Sequence, residues 1–219
     1  MKSQERPGPA DSSTALRPSS IKKVRAIIEA AEAIFLRSGY AEASMDDVST
    51  LAGVSKQTVY THFGAKQQLF VAVVTHVTSD ATARVHYEIP DPTDVSAMPA
   101  YLEAYARRQL DVVLDERVLA VRRLVIAEAT RFPQLAETFW QQGPAKAMEE
   151  MRVRFTRFAD VGLIATPDPA ASASIFNWMV MGGAINAAML LGAPGIPDAD
   201  ARAQIAAHAT RVFLAAHTA

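Results

Sequence analysis

Helical periodicity constrains this chain more than any other feature. In IKKVRAIIEAAEAIFLRSG the apolar positions Val24, Ile27, Ile28, Ala31, Ile34 and Phe35 fall at i, i+3, i+4, i+7, i+10 and i+11. That spacing is one face of an α-helix. Ser20 can cap its start and Gly39 can stop it. The same reading predicts short helices over residues 44–52 and 55–63 and a long one over 66–86. Further helices are predicted over 98–114, 117–131, 133–142, 144–162, 168–191 and 199–216. Pro133, Pro144 and Pro169 sit where a first helical turn tolerates the ring. The Pro/Asp-rich stretch IPDPTDVSA, residues 89–97, is the clearest break. No strand alternation and no internal repeat is found, so the fold class is all-α.

Composition narrows the function. Half of the 219 residues are hydrophobic, enough for a substantial core. The net charge of −1 excludes a generally basic coat, so any nucleic-acid binding must rest on a local face. The absence of cysteine excludes disulfides and thiolate metal sites. Histidines stand at 62, 76, 86, 208 and 217, in no recognised ligand spacing. There is no Gly-rich phosphate loop and no nucleophile elbow. No enzyme, metal or cofactor is therefore expected.

Residues 1–19 are rich in Pro, Ser and charge, without an apolar signal region, and read as a disordered arm. An inert tail is the simpler reading; the functional one has Arg17, Lys22 and Lys23 touching DNA. Residues 169–197 carry no charge and are long enough to span a bilayer. Ser172, Ser174, Asn177 and Asn186 lie within that stretch, and Asp168 and Asp198 flank it instead of Lys/Arg clusters. A buried or interface helix is the better account, and a cytoplasmic, non-membrane protein is expected.

The segment most informative about function is two short helices joined by a glycine. Ser44-Met45-Asp46-Asp47 has the form of a capping box with Asp for Glu, and Ser55 caps the second helix. Val48, Leu51, Val54 and Val59 are spaced to pack on the first helix, and Gly53 allows the turn. The outer side of KQTVYTHF carries Lys56, Gln57, Thr58, Tyr60, Thr61 and His62. Such groups read base edges or bond phosphate oxygens, as the second helix of a helix-turn-helix does. The pattern alone also fits a mere packing unit.

DDVSTLAGVSKQTVYTHFGAKQQLF resembles the signature of the TetR family, through Ala52, Gly53, Val54, Ser55, Thr58, Val59, Tyr60, His62, Phe63, Lys66 and Leu69. The likeness covers roughly residues 20–70; Ala43 and Ser49 are small departures from it. RRLVIAEATRFPQLAETFWQQGP, residues 122–144, is similar to the ligand-domain segment of AefR-like members. The resemblance implies an N-terminal three-helix bundle over 20–66 that binds DNA, and a ligand-binding and dimerisation domain over 67–219. It implies base-facing roles for Lys56, Gln57, Thr58 and Thr61 and phosphate contacts from Tyr60, His62 and Lys66, with Ser44, Met45 and Ser55 at the helix starts.

A homodimer through 168–191 and 199–216 is expected. Ala173, Gly182, Gly183, Ala184, Ala187 and Ala188 would allow close approach there, and Trp178, Met179, Met181, Ile185 and Met189 would supply apolar area. Helices over 98–162 would enclose a pocket for an unknown effector. Its candidate lining is Tyr101, Tyr105, Arg108, Glu128, Phe139, Trp140 and Asn177, though aromatics at helical spacing are more often plain core. The function read from these residues is a sequence-specific transcriptional regulator; the resemblance implies, as the family default, a repressor released from a palindromic operator when ligand moves the helix beginning at Lys66, with activation left open. The alternative is a helical small-molecule-binding protein whose helix-turn-helix is only structural.

Overall fold

A computed structural model describes residues 18–86 and 89–217, and the arm with Arg17 lies outside them. Ten α-helices follow in order. They are α1 (Pro18–Glu42), α2 (Met45–Leu51), α3 (Lys56–Phe63), α4 (Lys66–His86) and α5 (Met98–Val113). After them come α6 (Glu116–Glu128), α7 (Pro133–Trp140), α8 (Lys146–Asp160), α9 (Pro169–Leu191) and α10 (Ala199–His217). No strand occurs among the described residues.

Local chemistry sets the boundaries. Ser44 Oγ accepts from Asp47 N at 3.0 Å and Ser55 Oγ from Thr58 N at 3.2 Å, so α2 and α3 each have a hydroxyl cap. Asp115 and Asp168 cap α6 and α9 through their carboxylates. Gly39 bends α1 at φ 77°, where a stop is predicted, and the chain resumes one more turn before α2. Pro144 does not start a new helix. A five-residue π-helical turn, Gln141–Ala145, carries the chain from α7 into α8 without a loop. Proline has no N–H to give an α-helical bond and its ring crowds the preceding turn; the wider turn accommodates both.

Two apolar clusters form the core. One gathers α5, α8, α9 and α10 around Phe155, Phe176 and Phe213. The other joins α1–α4 to Val118, Val121 and Val125 of α6 and Leu135 and Phe139 of α7. The core of the N-terminal unit therefore continues past residue 66, through α4 and into α6 and α7. Tyr40, just past the α1 kink, packs edge-on against Phe132 with ring centroids 4.7 Å apart. Arg117 of α6 donates from Nε to Glu32 Oε1 at 2.5 Å and from Nη2 to Oε2 at 2.7 Å, and its Nη1 lies 3.7 Å from Asp80 of α4. These contacts fasten the N-terminal helices to the C-terminal half.

Helix α9 is apolar on nearly every side, and its uncharged run is long enough to cross a membrane. It packs instead against α5, α8 and α10, with Ala173, Phe176, Val180 and Ala188 buried within the protomer. The large apolar residues it leaves outside are Ile175, Trp178, Leu190 and Leu191.

Candidate DNA-binding and effector sites

Helix α3 stands on one buried anchor, Val59, fully excluded from solvent. Val48 of α2 is buried with it, and Val54 is half-buried. Leu51 is 54% exposed on the last turn of α2, so it does not share in this packing. Gly53 adopts φ 65° in the joint, a left-handed conformation that side-chain-bearing residues rarely take. This scaffold leaves Ser55, Lys56, Gln57, Tyr60, Thr61 and His62 on the outside of α3. A contiguous polar face on a helix with a rigid brace behind it is the geometry that enters a major groove.

Not every predicted DNA contact keeps that place. Met45 is buried, so its side chain belongs to the core. Lys66 turns its ammonium inward: Nζ donates to Ala41 O at 2.8 Å and Ala43 O at 3.0 Å, and it sits 4.9 Å over the Tyr40 ring. Two of its three donors thus close the end of α1. The Thr58 hydroxyl lies 2.9 Å from Ser55 Oγ, which occupies it within the cap. Lys56 reaches back to Asp46 at 2.7 Å, and that hydrogen bond, with the carboxylate's charge, holds its pKa above the usual lysine value. Gln57, Tyr60, Thr61 and His62 are exposed on α3, with Tyr60 under the Lys56 ammonium at 5.9 Å and His62 beside the Phe63 ring.

Behind this unit, a small internal cavity of about 60 Å³ lies where α4, α5, α6, α7 and α9 converge. Its wall is apolar, with Tyr105, Val113, Phe139 and Met181, and it takes in the π-helical turn at Gly143 and Pro144. Thr78 and Ala81 bring the long helix α4 into the lining. Gln109 and Arg122 add an amide and a guanidinium to the Thr78 and Tyr105 hydroxyls. Gln109 Nε2 donates to Asn177 Oδ1 at 2.8 Å, and both residues are 3% exposed. Burial pushes the Tyr105 hydroxyl's pKa up and pulls that of Arg122 down.

Of the predicted lining, Tyr105 and Phe139 do meet at this cavity, and Asn177 touches it through Gln109. Tyr101 is core, edge-on to Phe158 at 5.2 Å. Trp140 is 43% exposed on the surface. Glu128 accepts from Ala41 N at 3.4 Å and stands beside Gly39, so it braces the α1 kink and lies outside the cavity. Arg108 does not line the cavity, although its Nη1 is buried. Gln109 and Arg122 were not foreseen. A polar residue among apolar ones on a buried helical face was the available signal for Gln109. A second, wide-mouthed cleft of about 910 Å³ runs along α8, where Arg157 pairs with Asp91 and Glu149 with Arg152.

Residues 27–73 match the bacterial regulatory proteins of the tetR family, and residues 100–219 match the AefR-like transcriptional repressor C-terminal domain. The chain belongs to the TetR family. A TetR-family regulator from Mesorhizobium loti shares the fold at TM-score 0.81 and 32% identity, over 93% of this chain and 100% of that one. The flavonoid-responsive regulator FrrA shares it at TM-score 0.75 and 26% identity, over 90% and 97% of the two chains. A transcriptional repressor of Mycobacterium tuberculosis is 34% identical over 86 residues, 39% of this TetR-family chain and 46% of that protein. The match thus spans about half of the curated relative's length. The AefR-like resemblance seen in residues 122–144 extends over the whole C-terminal half of this TetR-family protein.

Proposed function

We propose that this chain is a cytoplasmic, dimeric transcriptional repressor that reads a two-fold symmetric operator through α3 and leaves it when a small effector enters the C-terminal half. The observation that carries this reading is the exposed face of Gln57, Tyr60, Thr61 and His62 on a capped helix braced by buried Val48 and Val59. Gln57 and Thr61 suit base edges; Tyr60 and His62, toward the far end, suit phosphate oxygens. Lys56 joins them once it exchanges Asp46 for DNA.

Two half-sites need two copies. The stripe of Ile175, Trp178 and Leu190 on α9, with Val212 on α10, supports pairing through these helices. Gly183 and Met179 border a shallow groove between them where a second copy can approach. Several small and apolar residues assigned to this interface from sequence, Ala173, Ala184, Ala188, Met181 and Ile185, are already buried inside the protomer. The dimer face therefore rests on the outer stripe.

Effector release is supported by the position of α4, which begins at the end of the helix-turn-helix and later lines the cavity through Thr78 and Ala81. Selection of duplexes from a random pool by the purified protein tests the reading. Enrichment of a palindrome with half-sites about one helical turn or a multiple apart is expected. Enrichment of nothing would leave the helix-turn-helix a structural element.

A further inference from the structure

The internal cavity holds an imbalance of polar groups. Arg122 faces it from α6 with burial alone shifting its pKa; no carboxylate contributes. Its Nε is buried without a hydrogen-bond partner, and its guanidinium lies over the Phe139 ring at 5.2 Å. Beside it, Gln109 and Asn177 bond to each other once, which leaves Gln109 Oε1 and Asn177 Nδ2 buried and unpartnered. A half-buried cation with an unpartnered Nε, and a spare donor–acceptor pair, cost free energy unless something completes them. Gln109 and Arg122 lie in one apolar, aromatic-lined wall, and Asn177 backs it through Gln109.

Resting on the effector-release reading above, we infer that this cavity recognises a small organic acid with an apolar or aromatic body, its carboxylate on the Arg122 guanidinium and a polar substituent on the Gln109–Asn177 pair. Arg pairs carboxylates through parallel N–H donors, which a neutral isostere cannot repay. The apolar body packs on Phe139 and Met181. At about 60 Å³ the cavity has room for roughly two waters, so the ligand enters by widening it. The π-helical turn is the part of the wall best suited to yield, having already lost regular hydrogen bonding at Pro144. Gly143 in that turn lies against Thr78 of α4: a Cβ built on it would stand 3.3 Å from the threonine methyl. Outward movement of the wall is thereby felt on the helix that carries the DNA-binding unit. An effector that prefers the widened state shifts the population toward it.

Matched acid–amide pairs test this: benzoate, phenylacetate and cinnamate against benzamide, phenylacetamide and cinnamamide, titrated calorimetrically into the full chain. At least one acid is expected to bind about tenfold or more tighter than its amide. Arg122→Met should erase that preference and Arg122→Lys should restore part of it. The ligand-free Arg122→Met protein should melt no lower than wild type, because a half-buried guanidinium with an unpartnered Nε has been removed. Equal binding of acid and amide, an unchanged preference in Arg122→Met, or no binding by any acid overturns the inference. Acid binding with no DNA selection would instead sink the repressor reading and leave the site standing.

Discussion

The Glu32–Arg117 pair joins the DNA-binding helices to the effector-binding half, and its strength follows from its surroundings. Glu32 is 8% exposed and takes two guanidinium bonds in parallel, at 2.5 and 2.7 Å. Breaking a fully buried pair by removing one partner costs about 3–5 kcal/mol. The Arg117 side chain is 40% exposed, so solvent screens part of the interaction, and a cost of about 1–3 kcal/mol is appropriate. Arg117→Met leaves a buried carboxylate, Glu32→Gln leaves the guanidinium only its longer contact with Asp80, and the double variant removes both charges. The cycle should therefore show coupling, with the double variant less destabilised than the sum of the singles by about 1–2 kcal/mol. Urea unfolding at one fixed protomer concentration reads this without interference from association. Each kcal/mol should also lower Tm by about 2–4 °C in a chain of this size. Coupling below about 0.5 kcal/mol would refute the argument, because this pair would then contribute little to joining the two halves.

Trp178→Glu places a charge in the centre of the exposed α9 stripe; it should yield monomers in sedimentation velocity and weaken operator binding, while helicity by circular dichroism stays unchanged. Lys66→Met removes two bonds to the Ala41 and Ala43 carbonyls, so it should destabilise the protein by about 1–3 kcal/mol in urea. A purely phosphate-contacting lysine would leave stability intact and alter only the salt dependence of DNA binding. Ser55→Ala removes the α3 cap bond to Thr58 N and should cost about 1 kcal/mol, read by the same unfolding curves.

The architecture was readable because helices advertise themselves locally. The spacing from Val24 to Phe35, the caps at Ser44 and Ser55 and the glycine at 53 each encode structure within a few residues. The outer face of α3 was readable for the same reason. What escaped depended on distant partners. Met45 and Lys66 resemble surface groups in sequence, but the first is claimed by the core and the second by carbonyls more than 20 residues away. Glu128 and Arg108 have the chemistry of pocket residues, yet Glu128 is spent on the α1 kink 87 residues earlier, while Gln109, one position from Arg108, reaches the cavity. A helical face advances by 100° per residue, so a single step decides which side chain points inward. In α9 the periodicity is lost because nearly every side is apolar, and sequence could not divide inner from outer residues there.

The most direct test of the central claim is the specificity ratio of α3, measured as affinity for the selected duplex over affinity for a scrambled duplex at fixed salt. For wild type the ratio should be about 10³ or more. Gln57→Ala and Thr61→Ala should each lower it by roughly 5–150-fold while leaving affinity for the scrambled duplex unchanged, as lost base contacts do. A wild-type ratio near one, or variants that weaken both duplexes equally, would contradict the assignment of α3 as the reading helix.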